Sequence, residues 1–166
     1  MERQESVPWA KVVWARPNIP RHAFISWHRL PTKLRLAKPQ QDTRHAFCNT
    51  EPEDETHHFY TYKYAEEVWR GLKGWWEYIP TAEDSQQMLR QVKKRKGGRI
   101  QKNITTATIT ATIYSIWQAG NSKIFTSQNI SGMQTIQHIK DQVQNRILFI
   151  NTSSRKYSKY IDKILG

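Results

Sequence analysis

The sequence predicts a mainly α-helical, compact domain with a small irregular hairpin near residues 44–62. Three observations carry that expectation. Apolar residues recur at threes and fours over most of the chain, as on one face of an α-helix. Capping-box spacings at Thr81/Asp84 and at Ser131/Gln134 mark helix starts. And 37% of the 166 residues are apolar, enough for one ordinary core at this length.

Taken in order, "VVWARPNIPRHAFISWHRLPTKLRL" is aromatic and basic and is punctuated by Pro17, Pro20 and Pro31. Phe24, Trp27, Leu30 and Leu34 share a helical face, and Pro31 with Thr32 splits the run into two short helices. Phe24, Trp27 and Leu34 read as core. The stretch from Arg44 to Tyr62 holds Pro52 among Asn, Thr, Glu and Asp, which favours a loop or tight hairpin. Ala65, Val68, Trp69, Leu72 and Trp76 then restore helical spacing, although Gly71 and Gly74 each cost about 1 kcal/mol inside a helix.

"TAEDSQQMLRQVKKRKGGR" reads as a short helix, opened by Thr81 and Asp84 at capping-box spacing and followed by an exposed basic loop closed by Gly97 and Gly98. The Thr and Ile of "NITTATITATIYSIWQAGNSKIF" favour strand by composition. Spacing argues for helix, because Ile104, Ala107, Ala111, Tyr114 and Trp117 form one stripe beside a second of Ile109, Ile113 and Ile116. Ser131 and Gln134 begin a further helix with Ile136, Ile139, Val143, Ile147 and Ile150 inward. Tyr157, Tyr160, Ile161, Ile164 and Leu165 suit a last one. No fixed-period repeat occurs, and a single domain over 1–166 is expected, with parts at 9–80, 81–101 and 102–166.

The net charge of +12 points to a polyanionic partner, RNA or DNA above all. No lipidation signal or long apolar run offers a membrane alternative. A single cysteine, Cys48, permits no internal disulfide, so an intracellular site, nuclear or nucleocytoplasmic, is the simplest expectation. Charge is uneven: residues 51–69 carry a net −5 while every flanking segment is positive.

Two clusters of cations are candidate nucleic-acid contacts. One is Lys93, Lys94, Arg95, Lys96 and Arg99 in "KKRKGGR", which suits a phosphate-contacting loop or a short nuclear-localisation signal. The other is Arg21, Arg29, Lys33, Arg35 and Lys38, interleaved with aromatic residues as single-strand binders require. His22 and His28, six apart, are too distant for an i, i+4 metal pair and read as surface or boundary residues. No phosphate-binding glycine loop, nucleophile elbow or zinc-protease motif is present, and a Cys48–His57 pair has no orienting acid beside it, so no catalysis is expected.

Across the start of the acidic island and the residues just before it, His45, Cys48, His57 and His58 have the residue types and the approximate spacing of a zinc site, with Glu55 as another potential donor. A solvated polar loop has the same composition. At these residues a resemblance enters. "VVWARPNIPRHAFISWHRLPTKLRL", "CNTEPEDETHHFYTYKYAEEVW" and "IYSIWQAGNSKIF" resemble, in order, the zinc-binding domain at the C-terminal end of plant LINE-type retrotransposon reverse transcriptases, from about Trp9 to Ile150. The resemblance implies a non-catalytic, retrotransposon-derived nucleic-acid-binding domain with zinc as its cofactor, adaptable to a host regulatory role or to a host protein partner. It aligns Cys48 with the second cysteine of the family's CxxC and His57 with its histidine. His45 stands at the first cysteine and Tyr62 at the last, so the ligand set departs from the family's at two of four positions. The polymerase and endonuclease portions of such an element are absent from the sequence.

Overall fold

The computed structural model of the protein describes residues 13–15, 18–29 and 56–166, with the side chains of Trp27, His28, Arg29, Ile124, Ser153 and Ser154 outside that description. Every element among the described residues is helical. Helix α1 spans Pro20–Arg29, and a single π-helical turn spans His57–Thr61. They are followed by α2 (Lys63–Trp75), α3 (Ser85–Lys94), α4 (Arg99–Thr126), α5 (Gly132–Ser154) and α6 (Ser158–Leu165).

Helix α4 is the centre of the fold, and α1, α2, α3, α5 and the π-helical turn all pack on it. Its sequence shows how this is achieved. Ile104, Ile109, Ile113 and Ile116 are buried, and so are Thr105, Thr106, Thr108, Thr110 and Thr112, so the helix is covered nearly all round through this stretch. A threonine carries a hydroxyl into the core that must be satisfied. Here each hydroxyl donates to the carbonyl four residues back, Thr105 to Gln101, Thr106 to Lys102, Thr108 to Ile104, Thr110 to Thr106 and Thr112 to Thr108. Strand-favouring composition is thereby accommodated in a buried helix.

The other stripes fall largely where spacing puts them. Ala65, Val68, Trp69, Leu72 and Trp76 are buried, as are Ile139, Val143 and Ile147, with Ile136 and Ile150 packed at the margin. Helix α5 opens on a full capping box, in which Ser131 Oγ accepts from Gln134 N–H and the Gln134 side chain accepts from Ser131 N–H. Gly71 has a packing reason: a Cβ there would collide with Ile136, so its bare backbone lets α2 and α5 approach closely.

Several expectations are corrected. Helix α3 is capped three residues later than its leading threonine suggests. Asp84 accepts from Gln87 N–H, while Thr81 serves as an acceptor for Lys73 Nζ at 3.0 Å. Phe24, expected in the core, is 52% exposed; the face of α1 that packs inward is made of His22, Ala23 and Ser26, smaller or flatter groups that fit against α4. His22, expected at the surface or its boundary, is fully buried. The expected last helix is present as α6, with Ile164 buried and Leu165 52% exposed. Of the expected hairpin, residues 57–61 form the π-helical turn, and residues 44–55 lie outside the described residues, as do Leu30 and Leu34.

Candidate nucleic-acid interface and metal loop

The π-helical turn is held to the helices by its own aromatic residues. Tyr60 stacks on Trp69 with ring centroids 5.6 Å apart and planes 8° apart, and its hydroxyl pairs with Ser85 Oγ at 2.7 Å. Trp69 Nε1 donates to Phe59 O at 2.7 Å. Phe59, Tyr60 and Trp69 therefore join the turn to α2 and to the start of α3. The turn's two histidines are thereby placed, and adjacent positions on a helical turn do not face one another. His57 is partly exposed, with Nδ1 3.3 Å from Thr61 Oγ1 and its ring 5.8 Å from that of Tyr62. His58 is buried, edge-on to Phe59 at 4.5 Å.

The His57 arrangement suits a metal ligand. When Nδ1–H donates to Thr61, the tautomer presents the lone pair on Nε2, which is how a hydrogen bond behind an imidazole orients it toward a metal. His45, Cys48 and Glu55 lie outside the described residues. Among those described, no group of three or more His, Cys, Asp or Glu could hold a metal ion.

The second candidate region is the turn between α3 and α4. Lys93, Lys94, Arg95, Lys96 and Arg99 are all exposed there. Arg95 Nη1 donates to Tyr78 O at 3.0 Å, and the backbone carbonyl of Lys93 accepts from Lys102 Nζ at 2.9 Å. These acceptors are neutral carbonyls, so the bonds orient the cations without cancelling their charge. On α1, Arg21 is exposed and lies 5.4 Å over the Tyr114 ring. Lys33, Arg35, Lys38 and the side chain of Arg29 lie outside the described residues.

Lys73 was not singled out by sequence. It reaches the α3 side of the molecule because the segment after α2 folds α3 back beside it, as Lys73 Nζ to Thr81 Oγ1 and Gln91 Nε2 to Thr81 O, both 3.0 Å, record. No basic run marks it, so only the fold could reveal it.

Fold and surface together define a mainly α-helical, strongly basic domain with no helix, among the described residues, long and apolar enough to cross a membrane. Residues 1–69 match the family model described as zinc-binding in reverse transcriptase, which supports a reverse-transcriptase zinc-binding domain in this part of the chain. The match runs through the acidic island and ends within α2, while α3 to α6 stand outside it. No curated protein and no solved structure matches the chain.

Proposed function

We propose that the protein is a non-catalytic nucleic-acid-binding domain of retrotransposon origin, whose phosphate contacts are Lys93, Lys94, Arg95, Lys96 and Arg99, helped by the cations of the first helices. The observation that carries this reading is the turn between α3 and α4, where five exposed cations cluster, Arg95 among them held by the neutral Tyr78 carbonyl, on a chain of net charge +12. Phosphate contacts of this kind release counterions, so affinity for a pool of single-stranded RNA or DNA falls linearly on a log–log plot against salt. The triple variant Lys93→Gln/Lys96→Gln/Arg99→Gln binds more weakly and with a shallower slope. Affinity unchanged between low and moderate salt would sink the proposal.

Zinc belongs to the same reading, held by His45, Cys48 and His57 with His58 or another donor as the fourth ligand. Support comes from the matched family and from the orientation of His57 by Thr61. Native mass spectrometry of wild type beside Cys48→Ala tests it: stoichiometric zinc lost in the variant is expected, and metal-free folded wild type refutes it.

A protein partner is the alternative, favoured by large apolar side chains left at the surface, Phe125 at 79% and Trp14 at 50% exposed. Binding to a host protein without salt-sensitive nucleic-acid affinity would replace the first reading with this one.

A further inference from the structure

Between the end of α2, the segment that follows it and α3 lies an open groove of about 700 Å³, lined in part by Lys73, Glu77, Thr81, Gln91, Lys94 and Arg95. We propose that this groove seats the sugar-phosphate backbone of single-stranded nucleic acid, with Lys73, Lys94 and Arg95 as its phosphate contacts. The inference rests on the nucleic-acid reading above and narrows it from a basic turn to a concave site, adding a residue that lies twenty positions before that turn.

Three features of the groove support it. Its cations come from separate places, Lys73 from α2, Lys94 from the last turn of α3 and Arg95 from the residue capping α3. Only the folded chain brings them together. Lys73 bonds to the Thr81 hydroxyl and Arg95 to the Tyr78 carbonyl, so both are positioned by neutral groups. The carboxylate in the lining, Glu77, is already engaged by Lys163. The charge facing the groove is therefore positive, while the Gln91 amide and Thr81 hydroxyl add the polar groups that sugar and phosphate oxygens accept from.

Size selects the form of the ligand. The volume falls within the range of about 300–1,000 Å³ typical of ligand clefts. A flexible strand can thread a short run of nucleotides through such a space. A duplex presents its phosphates on a stiff convex rod and cannot follow the concavity. An open groove with cations on both walls also favours a strand passing through it over a ligand enclosed on all sides.

The test compares oligouridylate and oligothymidylate with a duplex of the same length, using the full chain and the Lys73→Gln variant. Glutamine can still donate to Thr81, and circular dichroism checks that the variant folds. Lys123→Gln serves as the charge-matched control, since Lys123 sits 24 residues along α4 from Arg99, about 36 Å at 1.5 Å per residue. Lys73→Gln is expected to weaken single-strand binding by about three- to tenfold and to reduce the salt slope by about 0.7, as loss of one single-strand phosphate contact does. Lys123→Gln leaves both nearly unchanged, and the duplex binds more weakly than either single strand. If Lys73→Gln behaves like Lys123→Gln while the Lys93→Gln/Lys96→Gln/Arg99→Gln variant still loses affinity, the groove is wrong and the basic turn stands. Equal affinity for duplex and single strand also overturns the groove. If wild type binds none of these probes at low salt, both readings fall together.

Discussion

His22 and Tyr114 lie face to face in the seam between α1 and α4, with ring centroids 4.5 Å apart and planes inclined by 28°. One turn further along α1, Ser26 Oγ donates to Thr110 O at 3.5 Å, so the two helices run antiparallel. The imidazole is fully buried, and neither ring nitrogen has a hydrogen-bond partner among the described residues. Burial, with the nearby positive charge of Arg21 and the His138 ring as lesser causes, lowers the pKa of His22 from 6.5 to about 3.

Acid destabilisation follows from that shift. Between about pH 6.5 and pH 3 the unfolded chain protonates this histidine and the folded chain does not, so the unfolded state binds more protons and stability falls as pH drops through this window. Above it the contribution is constant. Replacing His22 with Phe keeps an aromatic ring against Tyr114 and removes two unsatisfied nitrogens. Urea denaturation midpoints at pH 7, 5.5 and 4.5 should therefore fall less steeply for His22→Phe than for wild type. Parallel declines would show that His22 does not carry this dependence.

Two threonines one turn apart in α4 should respond very differently to the same change. Trp76 Nε1 donates to Thr105 Oγ1 at 2.9 Å inside the core. Thr105→Val leaves that indole N–H buried without its acceptor, at a cost of about 1–3 kcal/mol. The Thr108 hydroxyl bonds only to the carbonyl of Ile104 among the described contacts, and that carbonyl lies within the helix, where it accepts a backbone N–H. Thr108→Val should stay within about 0.5 kcal/mol of wild type, since an apolar group of similar shape replaces a locally satisfied one. Paired urea titrations measure the contrast, and equal losses would refute it.

Much of the fold was legible in the spacing of apolar residues. Ala65 to Trp76 and Ile139 to Ile147 were assigned to buried faces because large apolar groups at threes and fours have nowhere else to go. The same rule failed at α1. There it turned Phe24 inward, whereas the approach to α4 is filled by His22, Ala23 and Ser26. Nothing local marks His22 for burial, because the flat face of Tyr114 that receives it lies more than ninety residues away. The site divides likewise. Lys93 to Arg99 were visible as a run, but Lys73 was not, since its place depends on Thr81 meeting both Lys73 and Gln91.

Helix α4 ends on a strained residue. Ser127 adopts the left-handed conformation, with φ 53° and ψ 20°, which turns the chain so that the next N–H, of Gln128, reaches back to Ser122 O at 3.3 Å. An L-residue with a Cβ pays about 1–2 kcal/mol for that conformation and glycine does not. Part of the gain is offset by glycine's freer unfolded chain. Ser127→Gly should raise stability by about 0.5–1 kcal/mol in thermal or urea unfolding, and a loss would show that the Ser127 side chain contributes more than its backbone costs.

The crossing of α2 and α5 offers a coupled test. Alanine at an interior helical glycine normally gains about 1 kcal/mol. At Gly71 the added methyl would meet the tip of Ile136, which must shift from its packing against the core to admit it. Gly71→Ala alone should therefore be neutral or destabilising despite its better helix propensity. Ile136→Val removes the terminal methyl that obstructs it. In that background the same Gly71→Ala substitution should become stabilising, giving a coupling of about 1–2 kcal/mol between the two positions. A double-mutant cycle in urea measures it directly, and additivity within about 0.3 kcal/mol would mean that close approach of the helices is not why glycine stands at this position.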